Sequence, residues 1–335
     1  MLAEIATFLF QTIVFPGVFF IVALAFGSNW MYRKFYARLQ RRIGPDSAGK
    51  FGFMQGFADF VKTATKEQIV PRSANKVIFK YLPIAAPVPI IVGILFIPML
   101  GTRGMISSPG DIYAIIFILT IVTAIEIILG WSSGSKYSLI GASRSGMQLV
   151  SFGIPLIFSM LYPIIKSGSF NFNDIILQQD GTQLGFLPQW NIFSVGVIAF
   201  ILFLICALAE LEKPPFDTPE AETELAGGWN LEYSGRGYAY IMLMEDLKMV
   251  FVISLGVVLF MGGPLGPTLG LQGWTLAVLY FIYFSLKYFL VLLILTLISS
   301  GLARLKIRQV VFGSWSYLTP LAIIFILVVM IVGGL

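Results

Sequence analysis

Histidine is absent from this 335-residue chain, and cysteine occurs once, at Cys206. A lone thiol cannot close a disulfide within the chain or supply the thiolates of an iron–sulfur cluster. Without imidazole there is no His-ligated haem, and neither residue type is present in the number a zinc site needs. If electrons pass nearby, other chains carry them. Charge is also scarce: 12% of residues are charged and 57% are hydrophobic, against about 25% charged in a soluble domain. With a mean hydropathy of +0.88, the composition is that of an all-α polytopic membrane protein.

Apolar runs of about 20 residues are the spanning unit. Eight can be read, at 6–28, 81–100, 112–131, 147–166, 192–210, 242–263, 274–298 and 314–334. The first opens "MLAEIATFLF", with an acid and no cation before its apolar run and no small-residue cleavage site after it. It reads as a retained helix with its N-terminus outside, not a signal peptide. Loop charge supports that orientation. With Lys248 counted as a loop residue, nineteen of the 22 lysines and arginines fall on one side, eleven of them between 29 and 80. Arg103 and Lys166 lie on the other side, and Lys287 lies within a span. The expectation is eight transmembrane helices, both termini outside, and long inner loops between spans 1 and 2 and between spans 5 and 6. The whole of 1–335 forms one transmembrane domain, with 29–80 a basic inner loop and 209–241 an acidic one.

The basic loop contains "FGFMQGFADFVKTATKE", where Phe53, Phe57, Phe60 and Val61 share one face at helical spacing. Gln55, Asp59, Lys62 and Lys66 take the other face. Two readings fit this pattern: an amphipathic helix on the membrane surface or beneath a partner, or a solvated helix anchored by its aromatics.

The acidic loop, "AELEKPPFDTPEAETELAGGWNLEYSG", carries Glu210, Glu212, Asp217, Glu220, Glu222, Glu224 and Glu232. Thr218 is a candidate N-cap, with Pro219 at the first helical position and a Gly pair to stop the helix. Crowded carboxylates beside a low-dielectric phase have raised, coupled proton affinities, the raw material of a proton relay. The plain alternative is a solvated acidic loop. Pro214-Pro215 and the interleaved Leu225, Trp229 and Tyr233 favour a folded one.

A polar stretch, "WSSGSKYSLIGASRSGMQ", separates the third and fourth spans, and its Lys136 and Arg144 could pair with those acids. Its small residues allow close backbone packing. Glu126 stands alone in "IIFILTIVTAIEIILGW", with no Lys or Arg in its span. An intramembrane carboxylate is a functional-site candidate, the alternative being a satisfied structural hydrogen bond. It is expected to face the interior, within reach of Glu210 or Glu245.

Three stretches in order carry a family likeness: "ARLQRRIGPDSAGKFGFMQGFADFVKTATKEQIVP", "WSSGSKYSLIGASRSGMQLVSFGIPL" and the acidic loop. Together they resemble the H-type membrane component of respiratory complex I, a family that includes the equivalent membrane subunits of archaeal hydrogenase-related complexes. The resemblance implies eight spans and docking against a hydrophilic iron–sulfur arm. It also implies a quinone chamber at that junction and other membrane subunits alongside, antiporter-like ones among them. No cofactor is bound by this chain alone; quinone would sit at the interface and iron–sulfur clusters in partner subunits. Glu210, Glu212, Asp217, Glu220, Glu222, Glu224, Glu232 and Glu245 would form an acidic funnel, joined by Glu126. Arg38, Arg41, Arg42, Gln55, Asp59, Lys62, Lys136, Arg144 and Lys213 would lie at the chamber and the arm. The location implied is a prokaryotic plasma membrane.

Departures are visible. Tyr32 and Gly153 stand where the family usually has Glu, and Lys213 where it usually has Arg. Losing two acids opens a second reading, the coupling subunit of a hydrogenase or sulfur-reducing complex without quinone. A secondary transporter would need broken helices and repeated halves, whereas the spans read as mostly continuous and show no convincing repeat. A pure anchor would tolerate neutral acids.

Overall fold

The computed structural model describes residue 15 and residues 17–183, 187–267, 270 and 272–333, with the side chains of Thr182, Gln183, Leu187, Glu222 and Thr223 outside the description. Residues 1–14 and 16, which hold the start of the expected first span, also lie outside it. The regular secondary structure of the described chain is helical apart from a two-residue antiparallel pair, Thr182–Gln183 with Leu187–Pro188.

Nine helices organise it. In chain order α1 is Val18–Leu39, α2 Gln55–Ala64 and α3 Lys76–Phe96. Then come α4 Asp111–Ser132, α5 Lys136–Ser167 and α6 Val197–Glu210. The last three are α7 Gly235–Phe260, α8 Trp274–Gly301 and α9 Ile307–Val332. Local chemistry sets several ends. The Asn75 side chain accepts from the amides of Val77 and Ile78 to cap α3. Gly168, in the left-handed conformation, closes α5. Asp111 starts α4 and accepts from the Ser108 and Phe172 amides, a carboxylate placed at the positive end of the helix dipole.

Five helices, α3, α4, α5, α8 and α9, are long and apolar enough to cross a membrane. The other three long or apolar ones fall short for separate reasons. Helix α6 has 14 residues, a rise of about 21 Å against a hydrocarbon core of about 30 Å. Helix α1 carries Arg33, Lys34 and Arg38, while α7 carries Glu245, Asp246 and Lys248.

Helix α7 is the axis of the molecule. It packs against α1, α2, α3 and α8, and its run from Leu247 to Phe260 is buried throughout. Helices α4, α5 and α6 pack side by side. Helix α9 is the rim: 22% of its apolar window is buried, against 56% for α5, so its Leu, Ile and Val side chains are free to meet lipid or a neighbouring subunit. Lys287 of α8 is buried, yet its ammonium donates to the carbonyls of Met261, Gly263 and Leu265 at 2.8, 2.8 and 2.6 Å and lies 4.2 Å from the Trp190 ring centre. All three donors are satisfied, which is how an intramembrane cation is tolerated.

The structure corrects four sequence expectations. Helix α5 begins at Lys136, so most of the polar stretch from 131 to 148 is helix and not connection. Helix α1 runs to Leu39, which puts Arg33 and Lys34 on a helix and not in a loop. The acidic loop forms no helix at Pro219; it makes one α-helical turn at Glu222–Leu225 and a 3-10 turn at Gly228–Asn230, and the Thr218 hydroxyl is used elsewhere. Finally, α2 does not keep its expected aromatic face together. Gly56 and Phe60 pack inward against Phe26 and Tyr240, and Asp59 turns inward to Arg33. Phe53, Phe57 and Val61 are left exposed.

Candidate functional site

Three buried side chains, those of Gln148, Trp229 and Tyr233, help to hold the acidic loop against α3, α4 and α5. Gln148 of α5 donates to the carbonyls of Ala209 and Phe216 at 2.7 and 2.9 Å, and its own oxygen accepts from the Thr218 hydroxyl at 2.9 Å. Trp229 is fully buried against Gly141 and Gly130, where added Cβ atoms would come within 2.5 Å of the Trp229 nitrogen and 3.0 Å of its Cβ. The small residues of 131–148 therefore make room for the loop backbone. Tyr233 stacks on Phe79 and hydrogen-bonds Ser132 and the Leu129 carbonyl.

This packing gathers carboxylates out of water. Glu126 of α4 is 2% exposed, and its Oε1 accepts from the Lys248 ammonium of α7 at 2.8 Å. The same ammonium lies 3.6 Å from Oε1 of Glu210, at the end of α6. Thr123 also donates to that oxygen. Glu212 receives Ser145 and the Trp229 indole at 2.6 and 3.0 Å, from a backbone held at φ 50°.

Two small cavities flank the ion pair, each of about 10 Å³, room for about one water molecule. The helix-side cavity is walled by Thr123, Ser145, Gln148, Phe152 and Glu210. The loop-side cavity is walled by Leu211, Lys213, Glu220 and Glu245. Glu126, Glu212 and Lys248 border both. Glu220, held by the Asn230 amide at 3.1 Å, has its carboxyl pushed well above the ordinary value, first by burial and then by the charge of Glu245. Burial opposes charge on Lys213, but the carboxylates of Glu245 and Glu220 outweigh it and hold the ammonium above the usual lysine value.

A larger cavity of about 520 Å³ lies where α1 meets the basic loop, bordered by Tyr32, Arg33, Tyr36, Arg42, Asp46 and Gln55 among others. That volume suits a small organic ligand. Polar side chains run from it toward the acids. Asp59 accepts from Gln55 at 2.7 Å and from Arg33 at 2.9 Å. On α1, Asn29 donates to Asp246 at 2.5 Å, the residue after Glu245. Lys213 lies within electrostatic reach of both Tyr32 and Asp246.

The expected site residues thus divide. Glu126, Glu210, Glu212, Glu220, Glu245 and Lys213 come together. Asp217 is instead paired with Arg304, and Glu224 with Arg144 at 2.5 Å. Glu232 is half-buried and lines neither small cavity. The Glu222 side chain lies outside the described residues. Arg38, Arg41, Lys62 and Lys136 are exposed, and among the described residues Lys136 forms none of the expected pairs with the acids. Phe152, not Gly153, lines the helix-side cavity.

Lys248 was missed. Counted as a loop cation, it is in fact 3% exposed inside α7. Its signal was available, since a charged side chain within a span pairs with another, and Glu126 was the unpaired acid. Asp246 was missed as well.

Fold and site define a helical, multi-pass membrane subunit that keeps carboxylates and lysines together out of water. Residues 11–330 match the family model described as NADH dehydrogenase, and the chain belongs to that family. It is 35% identical to the second H-type chain of NADH-quinone oxidoreductase from Koribacter versatilis, over 93% of each chain. Against the H-type chain of the same enzyme from Thermomicrobium roseum it is 37% identical over 88% of this chain and 87% of that one. Against NADH-ubiquinone oxidoreductase chain 1 of Chondrus crispus the figures are 36%, 95% and 93%.

Proposed function

We propose that this chain is the membrane subunit of a complex I-like respiratory complex that couples electron transfer in a soluble arm to ion movement in the membrane. The basic segment 29–80 anchors the iron–sulfur arm and walls a quinone-type chamber at the junction. The acidic segment 209–241 relays redox-driven charge changes to ion-pumping, antiporter-like partner subunits. The chain crosses a prokaryotic plasma membrane eight times as one domain, with both termini outside. Helices α1, α6 and α7 supply the three spans that length and composition alone do not reveal. Quinone at the interface and clusters in the partners are the cofactors; this chain contributes walls and proton-holding groups.

The observation that carries this reading is the run of polar side chains between the 520 Å³ cavity and the paired small ones. It passes through Asp59, Arg33, Asn29, Asp246 and Lys213 to Glu245 and Glu220. Protonation of one such carboxylate alters the proton affinity of the next. The test uses the whole complex in sealed vesicles. Glu245→Gln should lower the ions moved per electron, and an unchanged ratio would refute the relay.

The second reading, without quinone, is favoured by Tyr32. In place of an acid at the chamber wall, its hydroxyl pairs with Ser299 at 2.9 Å. A photoreactive quinone analogue should label residues 32–47 if quinone is used. No labelling, together with electron flow to protons or to sulfur compounds, would favour the alternative.

A further inference from the structure

The Lys248–Glu126 pair stands where the two small cavities meet. Glu126, Glu212 and Lys248 border both, Glu210 only the helix-side one, and Glu220 and Glu245 only the loop-side one. A proton passing from Glu245 to Glu210 by this route must pass the pair. Two further facts bear on how it would do so. Oε2 of Glu126 is buried with no hydrogen-bond partner among the described residues, although a buried carboxylate oxygen normally has one. In addition, the Lys248 ammonium is placed between two carboxylates, 2.8 Å from Glu126 and 3.6 Å from Glu210. Moving from the first to the second requires a shift of about 0.8 Å, the difference between those distances, and the four-carbon lysine stem permits it.

We propose, on the relay reading given above, that Lys248 is the gate between the two cavities, a tethered cation that lets one proton through at a time. In the resting arrangement Glu126 is anionic and holds the ammonium, and Glu210 carries a proton. A proton from the loop-side acids bonds to the free Oε2 of Glu126 and neutralises it. The ammonium then moves to Glu210, whose O–H bond breaks, and that proton leaves toward a carboxylate or water of the adjoining membrane subunit. The cycle closes when the proton on Glu126 crosses the helix-side cavity to Glu210 and the ammonium returns. One proton enters and one leaves, and the lysine keeps its three protons throughout. Because a single ammonium cannot hold both carboxylates closely, the two sides are never open together. Glu212 also faces the ammonium, but it is already committed to Ser145 and Trp229, so it sets the field without exchanging protons.

The test compares Lys248→Met, Glu126→Gln and the double variant in the complete complex in vesicles. The readouts are ions moved per electron and the infrared carbonyl band of protonated carboxyl groups. Lys248→Met should add a protonated-carboxyl band that is absent from the double variant, and its ions per electron should fall to background. The double variant removes both charges, so a purely structural ion pair would be restored by it. The gate predicts restored assembly with ion movement still at background. Wild-type ions per electron in the double variant, or in Lys248→Met alone, would overturn the proposal. Glu245→Gln run in parallel separates the two ideas. If it uncouples while the double variant pumps normally, the gate alone falls; if neither uncouples, the relay falls with it.

Discussion

Glu212 tests whether the acidic loop is held by its carboxylate or only by packing. It is 8% exposed and sits at φ 50°, a left-handed conformation that costs a non-glycine residue about 1–2 kcal/mol. Against that cost it accepts from Ser145 and from the indole of Trp229. Hydrogen bonds to a charged acceptor contribute about 1.5–3 kcal/mol each, neutral ones about 0.5–1.5. In Glu212→Gln the amide oxygen can keep the indole, a donor only, while the Ser145 hydroxyl rotates to accept from the amide nitrogen. The cost is then about 2 kcal/mol, reduced by the relief of repulsion from Glu126 and Glu245. Glu212→Ala forfeits both bonds and leaves a buried indole N–H unpaired, about 1–3 kcal/mol more. Glu212→Gly suffers the same losses but recovers the backbone strain. The expected order of thermal midpoints for the purified complex, at one scan rate, is wild type, Gln, Gly, Ala. Finding Ala as stable as Gln would refute the claim that these two bonds hold the loop.

Gly141→Leu should loosen the same loop from the other side, because even a Cβ there meets the Trp229 backbone at 2.5 Å. Overpacking of this kind costs about 1–3 kcal/mol, so limited proteolysis within 211–234 should accelerate, and wild-type resistance would count against the packing argument. Glu220 sets a pH dependence. Its carboxyl binds protons more tightly folded than unfolded, so its contribution to stability is fully present below the ordinary carboxylate value and is lost as pH rises through the raised one. Glu220→Gln should flatten that decline in a midpoint-versus-pH series, and an unaltered slope would show that Glu220 is not its source. Charge reversal at the exposed Arg41 and Arg42 should detach the soluble subunits, and a variant purified with its arm at normal stoichiometry would remove this segment from the docking surface.

The class of the protein, the approximate positions of its helices and the two charged segments were all legible along the chain. Each rests on a property summed over a local window: apolar length for the class and the helices, sign of charge for the segments. The three long stretches that resemble the H-type component of complex I pointed to the family for the same reason, since an ordered motif is read in one dimension. Glu126 stood out because an acid amid isoleucines conflicts with its own neighbourhood. Its partner did not, because Lys248 lies 122 positions away and its window already held Glu245 and Asp246, so it passed for a loop cation. Pairing of that kind depends on which faces of α4 and α7 meet, which no local pattern encodes. The same holds for α2, where helical spacing alone grouped Phe60 with Phe53, Phe57 and Val61 on one face. Only the close approach of Gly56 to α1, with Asp59 drawn to Arg33, decided that Phe53, Phe57 and Val61 point outward. Sequence established which groups are costly to bury in a membrane; tertiary packing alone decided which of them offset each other's cost.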